Sequence, residues 1–516
     1  MTKVPHPRPE HVVLLSDRGP VRFTSRSGQL VPERQSSSVT ALLHGVAGVI
    51  ASPCIWVAPS TAAADAQAMR QGLFRGLAPH LGYLPNVVPV HEQEYARYYD
   101  DAGVRIIWSA WHGIEDEVPV RFDGESPLAS LESYARINRQ LSSRIAQVAT
   151  KDAIVAVQDY QLMLAPTIIR RLRPDLRIIH FSHIPFPDSE SVARLPSVIV
   201  RTLVTGMLGA DLLGFQAGRW AHRFLQCCLR LGLDVDQNHG RVRYDGRSIW
   251  VRCYPVPVDV PYLTVRSKAP KVFRWADRTR AEDPRKRIVR VDRLDPAKNA
   301  LRGFQAYSQL LRRRPDLARD LRFVACLVPS RERLPEYQRY TRNVWRMIDD
   351  VNHRHPGSIT VHYGNDQDRA LGVMRDYDVL LVNSVADGMN LVAQEGPIVN
   401  TNDGVVVLSL GAGAADLVSG AVILDRPRDV AATADALEVA LSLAPAECRD
   451  RANRMRTAIS QLSPTEWLNR QLADALAVTS GSAPSKPLPP HPPKRRGCNE
   501  KTAGNADQSL LPSYPV

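Results

Sequence analysis

Apolar residues fall along this chain in short, nearly unbroken runs, separated by longer stretches in which they recur at helical spacing. Residues 11–15, 54–58, 153–157, 177–181 and 210–215 read as buried strands, and residues 39–50, 133–148 and 220–231 as helices between them. A polar, hairpin-like excursion follows Arg18, and an aromatic-rich stretch (Tyr95, Tyr98, Tyr99, Trp108, Trp111) precedes the second of those helices. Strands alternating with helices of this length predict parallel sheets covered by helices on both faces. The pattern breaks at Tyr254-Pro255-Val256-Pro257-Val258-Asp259, where prolines interrupt it. It resumes with strands at 287–291, 321–328, 358–361, 379–382, 405–408 and 421–424 and closes with helices over 430–477. From residue 479 Ser, Pro, Lys and Gly dominate, a composition that buries too little apolar surface to fold. The expected fold class is α/β. A Rossmann-like domain covers 1–256, a second covers 257–478 with its last helices free to pack back on the first, and 479–516 is a disordered tail. Two doubly wound halves predict a cleft between them, with ligands at the carboxyl ends of strands from both.

Composition adds limits. The 516 residues, 44% hydrophobic and 23% charged, are those of a soluble globular protein with room for two cores. No run approaches the roughly 18 apolar residues of a membrane-spanning helix. Met1-Thr2-Lys3-Val4-Pro5 lacks the apolar centre of a signal peptide, so a cytoplasmic location is expected. Seven cysteines, odd in number and without a CxxC, point to reduced thiols rather than disulfides or a zinc site. A formal net charge of +13 raises the question of nucleic acid. Arginine is spread along the whole chain, however, with no basic arm, zinc-finger spacing or aromatic RNA-binding motif. Diffuse positive charge suits anionic small substrates such as sugar nucleotides and sugar phosphates, so neither nucleic acid nor membrane is an expected partner.

The candidate chemistry sits at strand ends. Val291-Asp292-Arg293-Leu294-Asp295-Pro296-Ala297-Lys298-Asn299 follows the strand at 287–291 and precedes a helical pattern with Leu301, Phe304, Leu310 and Leu311. A strand end feeding a helix holds anions well, because the helix start offers unpaired N–H groups and partial positive charge. Arg293 can grip a phosphate through two parallel hydrogen bonds, and Lys298 adds a mobile point charge. A second such stretch, Asp387-Gly388-Met389-Asn390-Leu391-Val392-Ala393-Gln394-Glu395, follows the strand at 379–382. Asp387 and Glu395 lie slightly over two helical turns apart, which predicts one shared face of a helix whose first free amides are those of 388–391. Asp387 could then accept from sugar hydroxyls and Glu395 from the paired hydroxyls of a ribose. The plainer use of the same residues is an N-cap and a solvent-facing glutamate.

Taken in order along the chain, the motifs resemble those of the trehalose-6-phosphate synthase family, retaining glycosyltransferases of family 20. The resemblance runs from residue 11 to about residue 477. It rests on Gln158-Asp159-Tyr160-Gln161-Leu162, His183-Ile184-Pro185-Phe186-Pro187, Gly209-Ala210-Asp211-Leu212-Leu213-Gly214-Phe215, the two stretches above, and Gly411-Ala412-Gly413-Ala414-Ala415. It implies a GT-B fold, with a nucleotide-sugar donor in the second half and a sugar-phosphate acceptor in the first. By that resemblance Arg293 and Lys298 neutralise the donor diphosphate, and Asp387, Gly388, Met389, Asn390 and Leu391 hold the transferred sugar. Glu395 holds the ribose, while His183 and Asp159 face the donor sugar and the acceptor hydroxyl. Arg18, Tyr99, Trp108 and Arg331, with Asp159, receive the acceptor and its phosphate. The implied reaction moves glucose from UDP- or GDP-glucose to glucose 6-phosphate, giving α,α-trehalose 6-phosphate. It proceeds by front-face substitution with retention, without a covalent glycosyl-enzyme, a metal or another cofactor. Whether the protein is a homo-oligomer stays open.

Three departures set this chain apart from the family pattern. Ser36-Ser37 stands where the family has Gly-Gly on a loop over the donor, and glycine allows approaches to phosphate that serine resists. Asp17 in Ser16-Asp17-Arg18 replaces an asparagine beside the expected phosphate site. Pro296 replaces an aromatic residue and Asn299 a glycine. These changes, with Glu395-Gly396-Pro397-Ile398-Val399-Asn400, are closer to a relative, validoxylamine A 7'-phosphate synthase. They leave as alternatives a pseudo-glycosyltransferase coupling a nucleotide-activated cyclitol to a cyclitol phosphate or other sugar phosphate, and a catalytically silent sugar-phosphate-binding regulator.

Overall fold

The structure, a computed structural model, describes residues 9–35, 38–48, 50, 52–120 and 128–489. Its first sheet contains β1 (Val12–Leu15), β2 (Cys54–Ser60), β3 (Leu84–Pro89), β4 (Ile154–Gln158), β5 (Arg177–Ser182), β6 (Leu212–Phe215), β7 (Asp234–Asp236), β8 (Arg241–Tyr244) and β9 (Arg247–Cys253). Their spatial order is β3-β2-β1-β4-β5-β6-β9-β8-β7. The central strands are buried on both faces, every residue of β1 and β4 included, which is why they read as unbroken apolar runs. The second sheet contains β10 (Lys286–Arg293), β11 (Leu321–Val328), β12 (Ile359–Tyr363), β13 (Val379–Val382), β14 (Val405–Ser409) and β15 (Val422–Leu424), ordered β12-β11-β10-β13-β14-β15 and parallel throughout. This is the predicted α/β architecture of two doubly wound halves.

The parallel register decides what the halves can present to each other. Gln158 lies opposite Phe181 and Ser182 opposite Phe215, so the next residues, Asp159, His183 and Gln216, leave the first sheet side by side. In the second sheet Arg293 lies opposite Val328, which brings the 293–299 stretch beside Pro329, Ser330 and Arg331. Val382 lies opposite Leu408, which brings the stretch after β13 beside the 410–413 loop.

Several elements differ from the sequence expectation. Residues 234–253 add an antiparallel meander to the edge of the first sheet, β8 pairing with β7 and β9. Its two outer strands are short and polar (Asp234, Asp236, Arg241, Arg243), so no apolar run marked them. The aromatic-rich stretch coils into a wide π-helix, Arg97–Trp108, that buries Tyr98, Val104, Ile106, Ile107 and Trp108. α1 (Gly218–Arg230) covers the first sheet beside β6. α2 (Val392–Val399) starts later than predicted: Leu391 is its N-cap, and residues 388–390 form a loop before it. α3 (Pro464–Thr479) returns to the first half, where Trp467, Leu468, Leu472 and Ala475 join a core with Val12, Trp56, Phe181 and Leu212. Of the segment expected to be disordered, residues 479–489 are described: Thr479 ends α3, and 480–489 lie on the first half. Ser485 N–H donates to Asp474 at 2.7 Å, His222 bonds the Pro489 carbonyl at 2.7 Å, and Leu488 packs on the core. The rest of that segment, like Ser36 and Ser37, lies outside the described residues. The six described cysteines are free.

Candidate active site

Between the carboxyl edges of the two sheets lies a cavity of about 580 Å3. Every residue singled out from sequence lines it. Arg18, Tyr99, Trp108, Asp159 and His183 come from the first half, and Arg293, Lys298, Arg331, Asp387, Gly388, Met389, Asn390, Leu391 and Glu395 from the second.

On the first wall, Asp159 follows β4 with φ 75° and ψ 174°, a conformation that non-glycine residues avoid and that surrounding bonds must impose. Its N–H donates to the Phe181 carbonyl at 2.7 Å, and its carboxylate accepts from the His183 N–H at 3.0 Å. Burial raises the Asp159 carboxyl to about 7. His183 Nε2 donates to Gln158 Oε1 at 2.9 Å, which leaves Nδ1 as an acceptor. Burial lowers its imidazole to about 3, so it is neutral at physiological pH. Arg18 is exposed and reaches the Tyr99 hydroxyl at 3.3 Å. Asp17 accepts from the Tyr95 hydroxyl at 3.1 and 3.2 Å, and burial raises its pKa against the opposing pull of Arg18.

On the second wall the cations are not equivalent. Arg293 is exposed, its side chain makes no hydrogen bond or ion pair among the described residues, and its guanidinium stands 5.7 Å from the Trp108 ring centre. Lys298, on a short 3-10 turn, pairs with the Asp387 carboxylate, which also accepts from Asn390 Nδ2 at 3.0 Å. Burial pushes the Asp387 carboxyl up, but Lys298 and Asn390 carry it below the ordinary value. The sequence assigns Lys298 and Asp387 to separate parts of a ligand; in the structure they hold each other. Arg331 also lines the cavity, yet its guanidinium is engaged by Asp295 and by the Tyr337 hydroxyl at 2.9 Å, and lies 4.2 Å from the Trp108 ring centre. Glu395 has no such cation among the described residues, and burial raises it to about 7. A carboxyl of this kind gains by accepting donors from a ligand.

Asp387 and Glu395 do not share a helix face, because α2 starts only at Val392. Asp387 is held instead by a bridge to Ala412 in the neighbouring loop, and only Glu395 stands on the helix. The consequence for ligands survives, because the amides of Gly388, Met389, Asn390 and Leu391 make no hydrogen bond among the described residues. Asn299 has φ 63°, the left-handed conformation that glycine adopts freely and asparagine tolerates. Its side chain donates to the Asn383 carbonyl at 3.0 Å and to the Pro427 carbonyl at 2.6 Å, tying the turn that carries Lys298.

Among the cavity residues to which the sequence pointed no role are Gln216, His112 and Asp292. Gln216 follows β6 directly, so the strand-end rule would have found it; its side chain donates to the His183 carbonyl at 2.5 Å. His112 stacks on Trp108 with ring centres 3.9 Å apart, one turn along, and carried no signal of its own. Asp292 pairs with the buried Arg290 at 2.9 Å.

The sequence model of glycosyltransferase family 20 matches residues 10–477 of this chain. Trehalose-6-phosphate synthase of Mycolicibacterium vanbaalenii is 33% identical over 413 residues, covering 76% of this chain and 81% of its own. That of Mycobacterium avium is 32% identical over 410 residues, covering 76% and 80%. Among solved structures, the N-terminal domain of Candida albicans trehalose-6-phosphate phosphatase superposes with a TM-score of 0.78 at 21% identity, over 91% of this chain and 97% of that one. An α,α-trehalose-phosphate synthase (UDP-forming) from Burkholderia xenovorans, in complex with glucose-6-phosphate, gives 0.76 at 22% identity, over 90% and 100%. Among the described residues no helix is long and apolar enough to cross a membrane.

Proposed function

The chain belongs to glycosyltransferase family 20 and is a hexosyltransferase of the trehalose-6-phosphate synthase family, and from that premise we propose how its cavity works. Glucose passes from a nucleoside-diphosphate glucose to glucose 6-phosphate, giving α,α-trehalose 6-phosphate. The carrying observation is the meeting, in one cavity, of Arg293, Lys298 and Glu395 of the second half with Asp159 and His183 of the first. The diphosphate lies against Arg293 and Lys298, the ribose on Glu395, and the transferred glucose under the free amides of 388–391. Glucose 6-phosphate enters from the side of Arg18 and Tyr99.

Cleaving the sugar–phosphate bond builds positive charge on the sugar and negative charge on the leaving oxygen. Cations already in place stabilise the second charge more in the transition state than before it. Arg293 is free to do so at once. Lys298 does so by exchanging Asp387 for phosphate, which releases Asp387 to the sugar hydroxyls. The acceptor hydroxyl attacks from the face the diphosphate leaves, and the leaving phosphate takes its proton, so configuration is retained without a protein nucleophile. Positive side chains and free amides take the part a divalent metal would otherwise play, and a cytoplasmic setting supplies both substrates. The cyclitol-coupling alternative is not favoured, since the curated relatives described above are named trehalose-6-phosphate synthases. Incubation with UDP- or GDP-glucose and glucose 6-phosphate, followed by NMR, tests the reading. Trehalose 6-phosphate with both anomeric carbons α supports it; no product from any nucleoside-diphosphate glucose refutes it.

A further inference from the structure

Two side chains at the start of α1, outside every motif used above, reach across the cleft. Arg219 donates to the Leu410 carbonyl, to the Ala412 carbonyl at 3.2 Å, and to the Asp416 carboxylate at 2.7 and 3.1 Å. Its neighbour Trp220, buried, donates from Nε1 to the Gly388 carbonyl at 3.0 Å. The guanidinium carbons of Arg219 and Arg223 lie 5.1 and 5.0 Å from the Trp220 ring centre and help to fix its orientation.

The acceptors all belong to one unit of the second half. Asp387 N–H donates to the Gly411 carbonyl at 2.9 Å, Gly413 N–H to the Asp387 carbonyl at 3.1 Å, and Ala414 N–H to the Met389 carbonyl at 2.8 Å. Arg219 therefore grips the outer of two loops and Trp220 the inner one. The inner loop carries Asp387 and presses on the first half so closely that a Cβ on Gly388 would stand 1.9 Å from the His183 carbonyl. A planar guanidinium fork meets two carbonyls and a carboxylate at fixed angles, so this set of bonds exists for one relative orientation of the halves.

We propose that Arg219 and Trp220 form a latch between the halves: positioning residues that, in the closed protein, clamp the 387–389 loop over the transferred sugar and against His183. The inference rests on the reading of Asp387 as a ligand of that sugar. Without the latch the Gly388 carbonyl and Asp416 return to water, the loop loses its stop, and the donor is held less often in the reactive orientation.

Arg219→Met keeps the aliphatic stem near Trp220 and removes the fork, while Asp416→Asn weakens the same contact from the opposite wall and leaves α1 untouched. Neither residue lines the cavity. Each variant is expected to lower kcat/KM for the donor roughly tenfold, the scale of one lost charge-assisted hydrogen bond, with the acceptor KM unchanged. The double variant is expected to be no worse than Arg219→Met, because the part of Asp416 runs through Arg219. Small-angle scattering reads the latch without turnover: Arg219→Met should have a larger radius of gyration than the wild type, both free and with UDP. A wild-type protein that transfers no glucose would refute the proposed reaction and leave the scattering comparison to decide the latch. Unchanged donor kinetics with an unchanged radius overturn it. So do equal losses for donor and acceptor accompanied by a lowered unfolding midpoint, since these mark a merely structural contact.

Discussion

Replacing the two cavity cations one at a time should give opposite balances of stability and activity. Lys298 and Asp387 pair with both side chains 15% exposed, whereas the Arg293 side chain has no hydrogen-bond or ion-pair partner among the described residues. Lys298→Met strands a mostly buried carboxylate. Removing one member of a fully buried pair costs about 3–5 kcal/mol, and the opening to the cavity lowers that to roughly 2–4 kcal/mol here. Arg293→Met strands nothing, so the urea midpoint should hold, while donor kcat/KM falls by at least the roughly 1.5–3 kcal/mol of a charge-assisted contact, about 10- to 150-fold. Adding Asp387→Asn to Lys298→Met removes the stranded charge. The double variant should regain most of the stability and none of the activity. Urea unfolding of the ligand-free proteins and steady-state donor kinetics measure both sides. Equal midpoints for Lys298→Met and Arg293→Met, or no recovery in the double variant, would refute the reasoning.

Three further outcomes follow from the same geometry. Glu395 has its carboxyl raised from 4.5 to about 7 by burial, so the folded protein holds a proton that the unfolded chain has released. Its contribution is intact below pH 4.5 and is lost as pH rises through 7, by at most about 3–4 kcal/mol; Glu395→Gln should flatten the fall in unfolding free energy over that window. Gly388→Ala places a Cβ at 1.9 Å from the His183 carbonyl, so it should displace the loop and cut turnover more than tenfold with secondary structure intact by circular dichroism. Asn299→Ala gives up three hydrogen bonds, two donated to backbone carbonyls and one accepted from Arg302 at 3.1 Å, at a left-handed position and should lower stability by about 2–3 kcal/mol, more than Asn299→Gly, both read from urea midpoints.

The parts of the fold legible in sequence were those written by burial. Strands such as Val379–Val382 are covered on both faces and have to be apolar throughout, so their ends, and with them the cavity's rim, could be placed. The outer strands Asp234–Asp236 and Arg241–Tyr244 are half solvated and leave no such trace. The late start of α2 was missed because Asp387 looks like an N-cap, yet its neighbours follow the 410–413 loop, a contact far away in sequence. For the same reason no local pattern announced that Lys298 meets Asp387, that Arg331 meets Asp295, or that Arg219 crosses the cleft to Asp416. Cation type and strand-end position are local properties; pairing is not.

The central claim is that Arg293 and Lys298 hold a leaving diphosphate against the first half. A crystal structure of the protein with UDP and glucose 6-phosphate tests it most directly. The account predicts the diphosphate in contact with both cations, Lys298 turned from Asp387 towards it, and the ribose on Glu395. A diphosphate bound away from Arg293, with the Lys298–Asp387 pair intact, would contradict it.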